Sequence, residues 1–254
     1  MRPVAGVGVV IPAHDEQDTI GDAITSVLRS LAVADVHRNV LVVVCDDCSD
    51  RTAAVAREHL RRSDRVMEVG HRCVGAARAA GSLAALRLLA QPPERVWLLS
   101  LDADSTAPPS WVRDHLAHAG RGVDCVAGVV DLADDAPRSL GREFHRRYTS
   151  ELGTVAGAHD HVHGTNFGVR AGTLLSAGNW APMHTGEDHA TWAAVGAVGG
   201  RRVQDPRISV TTSSRLVGRA PNGFAADLRD LLAAARDAVT GGPPTAVSPI
   251  TRPG

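Results

Sequence analysis

Acidic and polar residues cluster at three places in the sequence, each directly after an apolar run. The clusters are Pro12–Glu16, Cys45–Asp50 and Asp102–Thr106. Asp102 and Asp104 are two residues apart, so in an extended segment their carboxylates project to the same side. Such a pair suits a hard divalent cation that is shared with the phosphates of a substrate. Acids at these places also cap helices, so the pair alone does not decide the chemistry.

The composition excludes several other kinds of chemistry. The chain has 254 residues, and its 27 positive side chains are all arginine, so Schiff-base chemistry and a Walker A phosphate loop are ruled out. The formal net charge of −1 excludes a generally basic nucleic-acid binder and a polybasic membrane-surface protein. No apolar run has the length of a membrane span, and no signal peptide is recognisable. The four scattered cysteines favour a reducing cytoplasm.

Apolar runs alternate with helical periodicities along the chain, which predicts an α/β fold. Strands are predicted at Val4–Ile11, Val40–Cys45, Arg65–Val69, Val96–Leu101, Val123–Val130, Val162–Val169 and Arg207–Thr212. Helices are predicted at Ile20–Leu31, Arg51–Leu60, Val74–Ala90, Ser110–Ala119, Leu140–Leu152, Glu187–Val198 and Phe224–Val239. This alternation favours a mainly parallel sheet with helices on both faces, whose ligands bind beyond the carboxyl ends of the strands. The tail 241–254, rich in proline and glycine, is expected to be disordered.

An ordered set of segments resembles the family 2 glycosyltransferases of GT-A fold, a Rossmann-like α/β architecture. The segments are Val9–Glu16, Val42–Thr52, Gly75–Gly81, Leu99–Asp104, Gly164–Arg170, Gly186–His189 and Thr211–Arg219. The resemblance spans most of Val4–Ala220. It implies one GT-A domain over residues 1–240, with a nucleotide-sugar half at 1–105 and an acceptor half at 106–240.

The resemblance implies a donor site built from both halves of the chain. Asp47 matches the acid that reads the nucleotide base, in a pocket lined by the segment that holds Pro12 and Glu16. Arg78 matches a basic residue near the base and the diphosphate. The basic residues expected to fold over the diphosphate are Arg215 and Arg219.

The resemblance also implies the metal site. Asp104 matches the carboxylate that holds Mn²⁺ or Mg²⁺ on the diphosphate. Asp102, separated from it by Ala103 in the donor site, would contact the ribose or the metal.

A general base and an acceptor pocket complete the implied site. Asp188 matches the base that takes the proton of the acceptor hydroxyl, and repulsion from the adjacent Glu187 is expected to raise its pKa. His163 lies next to the Gly164-Thr165-Asn166 segment and is expected to line the acceptor pocket with it. Trp180 is expected to form a platform for the acceptor.

The function implied is metal-dependent transfer of a sugar, with inversion, from a nucleotide-diphosphate sugar to a hydroxyl of a small or soluble acceptor. A UDP-sugar is favoured, and a GDP-sugar is the alternative. Asp102–Thr106 also fits the nucleophile motif of haloacid-dehalogenase-like phosphatases, but those enzymes use a downstream lysine. A sugar-phosphate nucleotidyltransferase would carry a basic residue after the first strand, where Pro12–Glu16 is acidic. A non-catalytic module that binds a nucleotide sugar is the remaining alternative.

Cys45 and Cys48 have the spacing of redox and zinc sites. The acids between them, Asp46 and Asp47, are expected to raise the pKa of both thiols, which disfavours a redox pair. Cys48 also occupies a position where the family's loop usually has glycine.

Overall fold

The computed structural model describes residues 3–133, 136, 138–151, 161–218 and 224–240. In these residues the strands are β1 (Gly6–Ala13), β2 (Asn39–Asp46), β3 (Arg65–Val69), β4 (Val96–Ser100), β5 (Ser105–Thr106), β6 (Cys125–Leu132), β7 (Phe167–Arg170) and β8 (Arg202–Thr212). The helices are α1 (Ile20–Ala34), α2 (Thr52–His59), α3 (Val74–Leu89), α4 (Trp111–Gly120), α5 (Arg138–Glu151), α6 (Ala171–Ser176), α7 (Glu187–Ala197) and α8 (Phe224–Thr240). The tail 241–254, which the sequence predicts to be disordered, lies outside the described residues.

One sheet joins all the described strands in the order β3-β2-β1-β4-β7-β6-β8-β5. Strands β3, β2, β1 and β4 are parallel, and β7 is antiparallel to both β4 and β6. Strand β8 returns parallel to β6, and the short β5 pairs antiparallel with β8. The prediction of a mainly parallel sheet is therefore confirmed.

Helices cover both faces of the sheet because successive residues of each buried strand point to opposite sides. On one face Val9 and Ile11 pack with Ile24 of α1, whereas on the other Val10 packs with Ala77 of α3. This apolar pattern is the one expected for parallel strands covered on both sides, and it places the polar residues at the strand ends.

Two predicted strands differ from the structure by more than two residues at one end. The strand predicted at Val162–Val169 starts only at Phe167, because Gly164–Asn166 form a 3₁₀ turn. The strand predicted at Arg207–Thr212 begins earlier, at Arg202, and contains Pro206 within an irregularity of its pairing with β6. Proline has no N–H for the ladder and is tolerated in a strand at such an irregularity.

None of the helices formed by the described residues combines the length and the apolar character that crossing a membrane requires.

Candidate active site

A cavity of about 510 Å³ opens where β1, β2 and β4 end, at the edge of the sheet that the sequence indicates. Its walls also include the start of α7 and the segment that follows β8. The sequence-predicted residues that line it are Pro12, Glu16, Arg78, Asp102, Ala103, Asp104, His163, Thr165, Glu187, Asp188 and Arg215. Asp47, Asn166 and Trp180 are not among the residues that line it, and Arg219 lies outside the described residues.

Arg215 joins two acidic walls of the cavity. Its guanidinium donates to both carboxylate oxygens of Glu16, at 2.7 and 2.6 Å, and lies 2.9 Å from Oδ2 of Asp104. Burial raises the pKa of Asp104 to about 6. Arg215 opposes this shift, and the nearby carboxylates of Asp102 and Glu16 add to it. Glu16 and Asp104 therefore share the single positive charge of Arg215.

This donor set fits a divalent cation such as Mg²⁺ or Mn²⁺. Asp104 and Asp102 offer hard carboxylate oxygens, and the raised pKa of Asp104 means that its ionised form gains from a nearby positive charge. The cation would share Asp104 with Arg215. Among the described residues, the group of three potential ligands already close together is instead Asp15, Cys48 and Asp50. A cation at Asp104 would therefore complete its shell with water or with oxygens of a substrate.

Arg78 is buried beneath the cavity and connects two of its acids. Its Nε donates to Ser100 Oγ at 3.0 Å, one terminal nitrogen donates to Asp102 at 2.5 Å, and the other donates to Glu187. The resemblance implies a contact with the base or the diphosphate. In the structure, Arg78 instead neutralises and aligns two carboxylates that come from distant parts of the chain.

The space around Arg78 is closely filled. The ring of Trp180 lies 5.4 Å from the guanidinium carbon, and its Nε1 donates to Ser82 Oγ at 3.2 Å. A Cβ at Gly164 would come within 2.5 Å of the same carbon, so only glycine fits there without a shift. Trp180 is buried behind the arginine. This corrects its expected role as an acceptor platform.

Glu187 and Asp188 begin α7 and differ in their surroundings. Asp188 is half-buried and accepts from the backbone N–H of Gly164 at 2.9 Å and of His189 at 2.8 Å. Glu187 is buried, and this burial raises its pKa to about 7, with Arg78 lowering it and Asp188 raising it. The repulsion between the two acids that the sequence predicts contributes to the raised pKa of Glu187.

The loop after β2 holds its two acids in different ways. Asp46 is buried and accepts from the backbone N–H groups of His71, Arg72 and Cys73 at 2.6 to 2.8 Å. Asp47 has a left-handed backbone, with φ of 55°, and its exposed carboxylate pairs with Arg72 Nε at 2.8 Å. Asp46 and Arg72 line the cavity, so Asp47 is linked to it through Arg72.

Two of the predicted acceptor residues make hydrogen bonds within the protein. Asn166 is fully buried, accepts from Trp111 Nε1 at 2.9 Å and donates to the carbonyl oxygens of Val129 and Ile208. It thereby fixes the irregular pairing of β6 and β8, which corrects its expected contact with an acceptor. Thr165 lines the cavity, and its Oγ1 accepts from the backbone N–H of Asp102 at 3.0 Å.

The part of the cavity next to Asp188 is lined by histidines and aromatic rings. His163 lines this part of the cavity, and its Nε2 lies 2.9 Å from the hydroxyl of Tyr148. His184, His189 and Phe224 also line the cavity. Sequence reasoning missed Phe224. The two histidines are marked in the sequence by their nearness to Glu187-Asp188.

The strand order and the acidic cavity at the strand ends define a GT-A glycosyltransferase. The chain belongs to glycosyl transferase family 2, whose family model matches residues 8–174, well over half of its 254 residues. The resemblance found in the sequence is thus confirmed, and membership removes the phosphatase and nucleotidyltransferase alternatives. No curated protein matches the chain.

Solved structures share the fold at low identity. S. aureus TarS 1–349 is 14% identical with a TM-score of 0.58, and the alignment covers 92% of this chain and 72% of that one. M. tuberculosis glucosyl-3-phosphoglycerate synthase is 17% identical with a TM-score of 0.52, with coverage of 94% and 82%. The same synthase in complex with Mn²⁺, UDP-glucose and phosphoglyceric acid is 18% identical with a TM-score of 0.54, with coverage of 94% and 81%. At these identities the likeness shows the GT-A fold alone.

Proposed function

We propose that this protein transfers a sugar from a UDP-sugar to a hydroxyl of a small or soluble acceptor, with inversion and with a divalent cation at Asp104. The observation that carries the proposal is a single cavity that contains the Asp102–Asp104 carboxylates and the Asp188 carboxylate. These groups come from opposite halves of the chain, and sugar transfer needs both a site for the leaving diphosphate and a base at the acceptor.

The donor end of the cavity suits a diphosphate leaving group. Asp104 and Asp102 would hold the cation, which when bound neutralises charge that develops on the diphosphate. Arg215 already lies against Asp104, and an arginine fork matches phosphate oxygens well. A uridine donor is supported by neighbours of the same fold, since TarS 1–349 has been crystallised with UDP-GlcNAc and the synthase with UDP-glucose.

The base end of the cavity suits proton removal from an acceptor hydroxyl. The backbone N–H of Gly164 orients one oxygen of Asp188, and half-burial leaves the carboxylate open to the cavity. Inversion needs the acceptor oxygen and the leaving group on opposite sides of the anomeric carbon. Asp188 would therefore hold the acceptor on the side of the sugar that faces away from Asp104.

Thermal unfolding with nucleotides tests the donor site directly. UDP, GDP, ADP and dTDP are each added with and without Mn²⁺ to wild type, to Asp104→Ala and to Asp230→Ala, which changes an exposed acid on α8. A nucleotide at about 100 times its Kd adds about 2.7 kcal/mol, a shift of a few degrees. We expect UDP to stabilise wild type and Asp230→Ala only with Mn²⁺, and Asp104→Ala to lose the effect. No shift with any nucleotide would refute the donor site, and release of UDP from a UDP-sugar separates a transferase from a non-catalytic module.

A further inference from the structure

Glu16 lies in the turn between β1 and α1, and hydrogen bonds of its backbone fix it there. Its N–H donates to Oγ1 of Thr52 at 2.7 Å, and its carbonyl oxygen accepts from the N–H groups of Thr19 and Ile20 at 3.1 and 3.0 Å. Its side chain lines the cavity with only 6% of its surface exposed. Glu16 is therefore a rigid charged group in the wall of the cavity.

Both carboxylate oxygens of Glu16 are engaged by other side chains. One terminal nitrogen of Arg215 donates to Oε1 at 2.6 Å and the other donates to Oε2 at 2.7 Å, while Oγ1 of Thr19 donates to Oε2 at 3.2 Å. A bidentate pair of this kind fixes the plane of the guanidinium as well as its position. A carboxylate that is used in this way influences a ligand through the arginine.

Arg215 is more exposed than Glu16 and lies in the segment that follows β8. Its N–H donates to Oγ of Ser213 at 3.2 Å, and 29% of its side-chain surface is exposed. The N–H of Ser213 in turn donates to the carbonyl oxygen of Asp104 at 3.1 Å. A long arginine side chain loses much rotamer freedom when it binds a ligand, and alignment by a fixed partner before binding reduces that loss. Glu16 supplies this alignment.

One terminal nitrogen of Arg215 contacts both acidic walls of the cavity. The nitrogen that donates to Oε1 of Glu16 also lies 2.9 Å from Oδ2 of Asp104. It carries two N–H groups, so it can serve both carboxylates at once. A divalent cation on Asp104 would take over that carboxylate, and one N–H of Arg215 would then face the oxygens of a diphosphate on the same cation. The two bonds to Glu16 need not break for this exchange.

We propose that Glu16 is a positioning residue that holds Arg215 beside the cation site, and that this gives the protein a preference for a nucleoside diphosphate over the corresponding monophosphate. The inference rests on the proposed function, because it requires a donor diphosphate on a cation at Asp104. In this role Glu16 itself touches neither the cation nor the nucleotide. A monophosphate lacks the second phosphate group that Arg215 would contact, so the effect of Glu16 is confined to nucleotides that carry this group.

Calorimetry with UDP and UMP at saturating Mn²⁺ tests this role. Wild type should bind UDP more tightly than UMP, and Glu16→Gln should bind UDP about tenfold more weakly than wild type while its affinity for UMP stays within about twofold. Asp18→Asn, which changes an exposed acid in the same turn, is the matched control and should keep the wild-type affinities. Glu16→Asp, which shortens the side chain by one methylene, is the second variant if glutamine impairs folding, and it should lose part of the same preference.

A double-mutant cycle separates positioning from a simple change of charge. Glu16→Gln, Arg215→Gln and the variant with both changes are titrated with UDP at saturating Mn²⁺. If Glu16 acts through Arg215, the double variant binds UDP no more weakly than Arg215→Gln alone, because the side chain to be positioned is already gone. Losses that multiply in the double variant, to about a hundredfold from two tenfold losses, would overturn the proposal.

The remaining outcomes separate this role from the proposed function. If wild type binds neither UDP nor UMP, the donor site fails, and the role of Glu16 fails with it. If wild type prefers UDP and Glu16→Gln keeps that preference, only the positioning role fails. Tighter binding of UDP to Glu16→Gln would also overturn it, since Glu16 would then compete with the phosphates for Arg215. Equal binding of UDP and UMP by wild type would exclude a contact of Arg215 with the second phosphate, and with it the role of Glu16.

Discussion

The guanidinium of Arg78 donates to a carboxylate oxygen of Glu187, and both side chains are almost fully buried, with 3% and 6% of their surfaces exposed. The same guanidinium holds Asp102 at the end of β4. Asp102, at the end of β4, and Glu187, the first residue of α7, therefore share one positive charge, that of Arg78. A buried ion pair of this kind is costly to break because the remaining charge is left without a partner.

Substitution of Gly164 by alanine should disturb this ion pair. The new Cβ would lie 2.5 Å from the guanidinium carbon of Arg78, and overpacking of a filled site costs about 1–3 kcal/mol. Urea unfolding should show this loss, whereas Gly120→Ala in α4, with open space around its Cβ, should be neutral or slightly stabilising. Equal stabilities for the two variants would show that the Arg78 side chain can move away from the new Cβ without a loss of stability.

Glu187→Gln should change how stability depends on pH. The pKa of Glu187 is about 7 in the folded protein, against an ordinary value of 4.5, so the folded state holds its proton more tightly. Its contribution is complete below about pH 4.5 and is lost as the pH rises through about 7, by up to a few kcal/mol. The free energy of unfolding should therefore fall less between pH 5 and 8 in Glu187→Gln than in wild type.

A matched control separates Glu187 from the other carboxylates. Glu58→Gln changes an exposed acid of α2 and should reproduce the wild-type pH dependence. Asp104, with its own raised pKa, stays in all three proteins and cancels in the comparison. A pH dependence in Glu187→Gln that equals that of wild type would contradict the raised pKa.

The convergence of acids at one edge of the sheet could be predicted from the sequence. Parallel strands end at the same edge, so Glu16, Asp46, Asp102 and Asp104 had to lie near one another once β1, β2 and β4 were recognised. This part of the prediction needed only the period of the apolar residues and the positions of the acids.

The partners of these acids could not be predicted in the same way. Arg78 is buried because α3 packs against Trp180 and Gly164, residues nearly a hundred positions away. Asn166 is polar, as a residue that binds substrate would be. Its side-chain amide nitrogen instead donates to two carbonyl oxygens at the irregularity between β6 and β8. The period of the apolar residues predicts which residues are buried, but it does not predict which distant group completes a buried hydrogen bond.

Arg215→Gln should strengthen the binding of Mn²⁺ in the absence of nucleotide. In wild type the guanidinium of Arg215 lies 2.9 Å from the Asp104 carboxylate and would compete with Mn²⁺ for it. Removing the guanidinium leaves Asp104, Asp102 and Glu16 without that positive charge. We expect Mn²⁺ alone to bind about tenfold more tightly and to raise the Tm of this variant more than that of wild type. Arg207→Gln, which removes an exposed guanidinium paired with the buried Asp205 outside the cavity, is the control. Weaker Mn²⁺ binding in Arg215→Gln would place the cation elsewhere.

Asp188→Asn should remove catalysis while the donor site stays intact. Asparagine keeps one oxygen that can accept from the N–H of Gly164, but its amide nitrogen can neither accept from the N–H of His189 nor take a proton. Loss of a positioned general base lowers kcat by about 10²- to 10⁴-fold. UDP release from a UDP-sugar, with water or an added alcohol as acceptor, measures this loss. UDP affinity with Mn²⁺ should stay within about twofold of wild type, since Asp104 and Arg215 are unchanged.

The exposed acid Asp230 provides the control for this substitution, and Asp230→Asn should retain full turnover. Glu187 offers a second comparison, because it lies beside Asp188 but points to Arg78. If Asp188→Asn kept near-normal turnover while Glu187→Gln lost it, the proton would have to leave through the buried acid, whose pKa of about 7 suits that role at neutral pH. Normal turnover in both variants would instead exclude a general base at the start of α7, and with it the inverting mechanism proposed for this cavity.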